Sequence, residues 1–553
     1  MTEFFELFKT PWRFYRQGEC YDIVIVDQAV EELPEGKIIF LYGAETLSFD
    51  SRNNLNPVRK NGLHLLKKRN GRRFPVFQGT CLFGDPLPNP LGSAFLESED
   101  DHLPASFCLQ INGKTVIRIG YDLFSEVHFL LSKGQPPEYA HISTLDIHIS
   151  IIRKLILRSG GFLIEIPPVP FGHSFITCLT HDVDFIELKP HKLDRSVLGF
   201  IARGLNPIKA RGFDSKIAWK NVLRNWLAIL TLPGVYLGRK KDPWFDIDRY
   251  LILESDTHST FYFIPLKNVS GSSGRLPEPK YRAARYDISN YAELMQCLCR
   301  EGFEVGVHGI DAWHDSEKGE NERKAIFQAV EQNHIGIRMH WLHFADESPD
   351  ALKQAQYLYD STRGYNDAIG FCCGTAQVFQ FSNALPELPL VIMDTALFYP
   401  DRMGLPWNSA LRKCKEIISN MRRYGGALTI NWHTRSLMPE RNWGDFYMAL
   451  LGAIKCEKTI FMTACQAVSW FAKRRQALFE DIQFSDNHVK IWLRSKSHFD
   501  DPSIFIRIYL PIINPSSPDG ILHTEHAVMD IPITDNKPIC VPLSEILPAT
   551  NNN

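Results

Sequence analysis

The spacing of apolar residues divides this chain into three stretches. Over the first ~165 positions the apolar runs are short: "YDIVIV" (21–26) and "KIIFLYG" (37–43) have the length and β-branched content of buried strands. "TVIRIGYDLFSEVHFLLSKGQP" (115–136) continues as strand, turn and helix, stopped by Gly-Gln-Pro. The Pro- and Gly-rich segment from Phe83 reads as a long surface loop. From ~170 to ~475 strand and helix patterns alternate. "STFYFIP" (259–265) leads to a Gly/Ser loop. A helix follows, capped by Asp287 or Ser289, with Tyr291, Leu294, Met295 and Leu298 at helical spacing and Gly302 at its end. "FEVGV" (303–307), "PLVIMD" (389–394), "ALTIN" (427–431) and "TIFMT" (459–463) read as further strands, and Thr463 with Gln466 forms a capping box. Repeated strand–helix units predict a parallel sheet, open or closed into a barrel. After ~480 the period changes to two: "HVKIWLR" (488–494) and "SIFIRIYLP" (503–511), split by "SHFDDP", predict an antiparallel hairpin in a small β-sandwich. The expected fold class is therefore α/β, with domains at 1–168, 169–478 and 479–553.

Bulk properties narrow the picture little. The 553 residues carry a formal net charge of -2, which excludes a global field toward nucleic acid. No run of eighteen apolar residues occurs, so no spanning helix is expected, and the first residues lack the pattern of a secretory leader. The twelve cysteines are scattered, and the close pairs Cys297/Cys299 and Cys372/Cys373 lack the two-residue gap of a zinc knuckle or redox motif. Reduced, mostly buried thiols in a cytoplasmic protein are the expectation.

The chemistry concentrates behind the strands of the middle stretch. "FITCLTHDVDF" (175–185) runs into His181, Asp182 and Asp184. "FEVGV" runs into His308, with Asp311 and His314 soon after. "GIRMHW" carries Arg338 and His340. "PLVIMD" ends on Asp394, and "ALTIN" is followed by Trp432 and His433. In parallel α/β architectures ligands sit at the carboxyl ends of strands, so these residues would face one mouth. One carboxylate and two imidazoles can hold a divalent ion and leave positions for water. A second carboxylate can take the proton of that water, and another imidazole can protonate a leaving group. His340 and His343 read as rim or core.

At these residues the chain resembles the polysaccharide deacetylase family, carbohydrate esterase family four, over about 170 to 475. The family's first motif, with two aspartates after a strand, is here "THDVD", an Asp-x-Asp variant. The resemblance implies a distorted (β/α) barrel, often of seven strands. It implies Asp182 as general base, Asp184 and His308 as metal ligands, Arg338 as the arginine that holds the base, and Asp394 as the acid that orients His433, the general acid. The family's second motif has histidines four apart. Here position 312 is Ala, and the third ligand is either His314 or Asp311. Metal-assisted removal of an N-acetyl group from a glycan or lipid-linked sugar, by attack of a metal-bound water, is the implied activity. Zinc is the expected ion, with nickel, cobalt or iron as alternatives. Two other readings are a metal-dependent amidohydrolase of a small non-sugar amide and a catalytically inactive glycan-binding module.

Between the first motif and the next strand lies an insertion, 189–250. Over 189–241 it carries Lys189, Lys192, Arg195, Arg203, Lys209, Arg211, Lys216, Lys220, Arg224, Arg239, Lys240 and Lys241 against Asp194 and Asp214. Trp219, Val222, Leu223, Trp226, Leu227 and Leu230 share one helical face. That combination suits a helix lying in a membrane interface, here the inner face of the membrane, or a hairpin packed on the barrel with a solvated basic rim.

Overall fold

The computed structural model describes residues 1–27, 32–68, 71–84, 94–158, 162–192, 194–205, 215–245, 247–272, 282–332, 334–381, 385–438, 441, 443–485, 488–494, 502–512, 525–534 and 537–542. The chain divides into two compact units: 1–135 with 142–167 and 473–553, and 136–141 with 168–472.

In the first unit, strands Ile23–Val26, Ile38–Tyr42, Lys114–Ile119 and Ser106–Ile111 lie side by side in that order, the first three parallel and the last antiparallel. Ile39, Leu41, Phe107 and Val116 fill its core. The expected strand–turn–helix appears, with Asp122 accepting from the Ser125 amide to cap Leu123–Ser132. Much of the Pro-rich loop, 85–93, and most of "SHFDDP" lie outside the described residues. The tail does not form the expected hairpin. His488–Arg494 pairs with Leu478–Phe484 and Ile539–Pro542, whereas Phe505–Ile512 pairs with Leu163–Glu165 and Glu525–Pro532. A period-two pattern fixes which face of a strand is buried, not which strand it pairs with.

The second unit carries a curled parallel sheet. Its elements in chain order are β1 (Phe175–Val183), α1 (Arg195–Leu205), α2 (Ser215–Tyr236), β2 (Thr260–Phe263), β3 (Glu304–Gly309), β4 (Ile337–Met339), β5 (Ile392–Met393), β6 (Ala427–Asn431) and β7 (Thr459–Phe461). The strand order is β4-β3-β2-β1-β6-β5, with β7 beside the start of β1, and every pairing is parallel. Helices Ala292–Arg300, Ser316–Val330, Trp407–Tyr424 and Gly444–Lys455 make the crossovers. Strands covered on both faces read as unbroken apolar runs, and all residues of β1, β2, β3 and β6 are buried. Backbone bonds continue past β4: Ser361 donates to Ile337, Leu388 to Asp360, and Val391 to Thr429 on β6. The sheet thus curls back toward its own first strand, a (β/α) barrel in outline.

Local rules hold at the element ends. Thr463 and Gln466 cap each other reciprocally. Gly302 takes φ +88 past the helix at 292–300. β5 is shorter than its apolar run because Asp394 opens the helix Asp394–Phe398. All twelve cysteines are free thiols, yet only five are buried, four being half-buried and three exposed.

Candidate active site

Side chains alternate across a strand, so Thr180, Asp182 and Asp184 share one face of β1 while His181 and Val183 take the other. The valine between the two acids therefore puts both on the same side. Asp182 is buried. It accepts from Arg338 Nη1 at 3.1 Å and from Asn431 Nδ2 at 2.6 Å, and its own amide donates to Asn431 Oδ1 at 3.2 Å. Arg338, fully buried on β4, also donates to Thr180 Oγ1 and to both Ser361 oxygens, and lies 4.6 Å from the Tyr262 ring centre. Burial alone would raise the Asp182 carboxyl. His308, Arg338 and His433 outweigh it and hold the group below the ordinary carboxylate range.

Asp184 follows β1 directly. Its Oδ1 lies 3.3 Å from His308 Nε2 and 3.2 Å from His340 Nδ1, and those two nitrogens are 2.9 Å apart. His308 Nδ1 donates to the Arg338 carbonyl at 3.0 Å, which leaves Nε2 as a lone pair aimed at the triangle. Asp184 Oδ1 is buried with no hydrogen-bond partner. A divalent ion with bonds of about 2.0–2.1 Å in tetrahedral array wants donors about 3.3 Å apart. Three donors at nearly that spacing, one of them an orphaned buried oxygen, fit such an ion. Burial would raise Asp184, but His340, His308 and His433 hold it well below the usual range.

On the other side stands His433, just past β6. Its Nδ1 meets Asp394 Oδ1 at 2.7 Å, its amide donates to Asp394 Oδ2 at 2.8 Å, and its Nε2 faces Asp184 Oδ2 at 3.9 Å. Ser436 Oγ and the Thr395 amide complete the Asp394 shell. Burial works against the imidazolium, yet Asp394 and the two site aspartates push the ring up to about 9. These groups open into a cavity of about 330 Å³.

The structure brings together Asp182, Asp184, His308, Arg338, Asp394 and His433. It does not bring His314 or Asp311 into that cluster. Asp311 accepts from the Ser272 amide and from Lys318 Nζ, and His314 Nε2 lies 3.4 Å from its carboxylate. Among the described residues the third donor beside Asp184 and His308 is His340, where His314 or Asp311 was expected, and of its two expected places, rim or core, it takes a buried one. His308 pairs in register with Arg338, and His340 comes two residues after Arg338, the parity of one strand face, just past the end of β4. That parity is the signal in the sequence. Asn431, the second partner of Asp182, was concealed as the last letter of an apolar strand. His181 is not part of the site: it is sealed on the far face of β1, bonded to the Trp432 carbonyl at 2.8 Å and to Glu254 at 3.0 Å.

No protein-family model matches this sequence, and no curated protein sequence does. Among solved structures, the chain is similar to a Mycobacterium smegmatis protein named for polysaccharide deacetylation, with 16% identity and TM-score 0.35, over 56% of this chain and 95% of that one. An allantoinase has 12% identity and TM-score 0.32, over 56% and 93%. A mutant of a family-four carbohydrate esterase pseudoenzyme, with restored activity, has 9% identity and TM-score 0.26, over 53% and 67%. With TM-scores below 0.5, these likenesses transfer no residue role.

Proposed function

We propose that this protein is a metal-dependent hydrolase that removes the acetyl group from an N-acetylated glycan. The observation that carries this reading is the donor triangle of Asp184, His308 and His340, flanked by a carboxylate clamped to arginine and an imidazole clamped to aspartate. When bound there, a divalent ion, zinc in the first instance, supplies Lewis acidity at the substrate carbonyl and acidity to water. Asp182 is the general base. Arg338 and Asn431 hold its two oxygens, so the carboxylate stays ionised and aimed. His433 is the general acid: Asp394 keeps its ring protonated and directs Nε2 into the cavity, toward a leaving nitrogen. The inactive binding module is disfavoured by His340, which supplies the third donor that the second motif lacks.

The test joins metal content to turnover. Purified protein reloaded with zinc should hold about one equivalent, the number one donor triangle accommodates, and release acetate from N-acetyl sugars. Metal below about a tenth of an equivalent overturns the reading. Full metal with hydrolysis confined to small non-sugar amides supports the amidohydrolase instead.

We infer that the protein works at an anionic membrane face, the inner leaflet, on a lipid-linked sugar. α2 supports this with two apolar stripes. Leu232 and Val235 face inward, in one cluster with Leu188, Val197, Phe200 and Trp244. Leu223, Trp226, Leu227 and Leu230 are exposed on the other side, Leu230 at 73%, and Leu237 just past the helix is exposed too. Arg224, Arg239, Lys240 and Lys241 flank that stripe. The side chains of Trp219 and Lys220 lie outside the described residues, as do Lys209 and Arg211. Among the described residues no helix is long and apolar enough to cross a membrane. Flotation with phosphatidylserine vesicles at low salt should carry the protein upward, and Leu227→Glu with Leu230→Glu should abolish it. No flotation of the wild-type protein ends the idea.

A further inference from the structure

The cavity wall on the His433 side carries a hydroxyl that the proposed reaction does not use. The short helix Asp394–Phe398 opens on Asp394, the partner of His433, and ends at Tyr399, which lines the same cavity. The Tyr399 amide donates to the Thr395 carbonyl at 3.2 Å, so its backbone is set by the helix that holds His433 in place. The ring is gripped on several sides. Arg402 and Arg441 lie 5.2 and 5.1 Å from its centre, and the Trp443 ring meets it at 5.5 Å, inclined by 67°. A side chain with two torsions and such neighbours keeps its hydroxyl in one place.

A phenolic hydroxyl both accepts and donates. Here Arg441 Nη1 donates to the Tyr399 oxygen at 2.6 Å. The Tyr399 proton, in contrast, goes to no acceptor among the described residues, and the residue is only half-buried. The surroundings strengthen that donor. Burial would raise the phenol, but Arg441 and His433 outweigh it and hold the group below its ordinary value. A hydroxyl that accepts from a cation is polarised and donates more strongly.

The position matters because His433 faces the leaving nitrogen in the hydrolase reading, on which this inference rests. A donor on the same side meets the atoms next to that nitrogen. In an N-acetylated amino sugar these include the oxygens on the two carbons that flank the acetamido carbon, C1 and C3. A simple alkyl acetamide has neither. We propose that Tyr399 is a specificity-determining residue, which donates its hydroxyl proton to a sugar oxygen on a carbon next to the acetamido carbon. A substrate without that oxygen leaves the donor unmatched, and a site built to make a hydrogen bond discriminates against such a substrate.

Acetate release by the zinc-loaded full chain tests it. The probes are the methyl glycoside of N-acetylglucosamine and its analogues with hydrogen in place of the oxygen substituent at C1 or at C3. Tyr399→Phe should cut kcat/KM on the parent glycoside by about tenfold, the worth of one hydrogen bond, chiefly through KM, with bound zinc unchanged. One analogue should lose the same factor with the wild-type chain and lose nothing more with the variant. The other should respond to the substitution as the parent does. Equal losses on all three probes would mean that the hydroxyl serves only to anchor Arg441, and would overturn the proposal, as would no loss on any. If none is hydrolysed, calorimetry with the same three probes decides. Weaker binding of the parent to Tyr399→Phe, matched by one analogue with the wild-type chain, keeps the donor while the hydrolase reading falls. Binding that is absent, or that the substitution leaves unchanged, removes the donor.

Discussion

Two of the histidine–carboxylate pairs within this barrel differ in what their second nitrogen faces. His181 meets Glu254 at 3.0 Å and His433 meets Asp394 at 2.7 Å. His181 spends its other nitrogen on the Trp432 carbonyl and packs 4.2 Å from the Tyr250 ring, with no exposure at all. His433 spends one nitrogen on Asp394 and turns the other toward Asp184 and the cavity. The motif chemistry is the same. What separates a sealed pair from one proposed to react is whether the second nitrogen has been left facing open space.

The contrast can be broken in four places. The largest effect belongs to the donor triangle. His340→Ala should abolish bound metal and acetate release together, beyond the ~10–100-fold cost of losing a mere supporting partner, whereas His314→Ala should keep both. Reversed outcomes would return the third place to His314. Next comes Asp182→Asn, expected to keep its metal and lose ~10²–10⁴ in kcat; full turnover would remove it as the base.

Asp394→Asn should be milder, about 10–100-fold in kcat, as for partners that orient a working ring. It also shifts the pH profile. Asp394 raises the His433 pKa, and a general acid must be protonated, so activity falls as pH rises through that pKa. Without Asp394 the pKa drops and the alkaline limb moves to lower pH. An unmoved limb would mean that His433 is not the acid. The smallest effect on chemistry should come from the sealed pair. His181→Gln should cost about 1–3 kcal/mol of stability by unsettling Glu254, read by denaturant unfolding. Turnover per bound zinc should stay near the wild-type value, and a loss without destabilisation would place His181 in the reaction.

These residues also show what the sequence could carry. Asp182 and Asp184 were legible because an acid repeated two places apart behind an apolar strand has few structural uses. His308, Asp394 and His433 were legible because each follows an apolar run, whereas Arg338 lies within one and was singled out through the family resemblance. His340 was not legible, because the expected partner of His308 was placed on its own loop, at Asp311 or His314. The structure takes it from the turn just past β4 instead, and only the lateral register of two strands brings His308 near it. Asn431 escaped because a single amide at the end of "ALTIN" looks like a strand terminus. In the tail, alternation marked both strands correctly but not their partners, which lie hundreds of residues apart for Leu163–Glu165 and Phe505–Ile512.

That last pairing has a consequence for biosynthesis. A ribosome delivers 163–165 long before 505–512, so the first unit has a raw strand edge throughout translation of the barrel. The barrel, whose segments are nearly contiguous, can finish while its neighbour waits. Any truncation that stops short of the final strands would therefore release a finished barrel tethered to an unfinished, aggregation-prone unit.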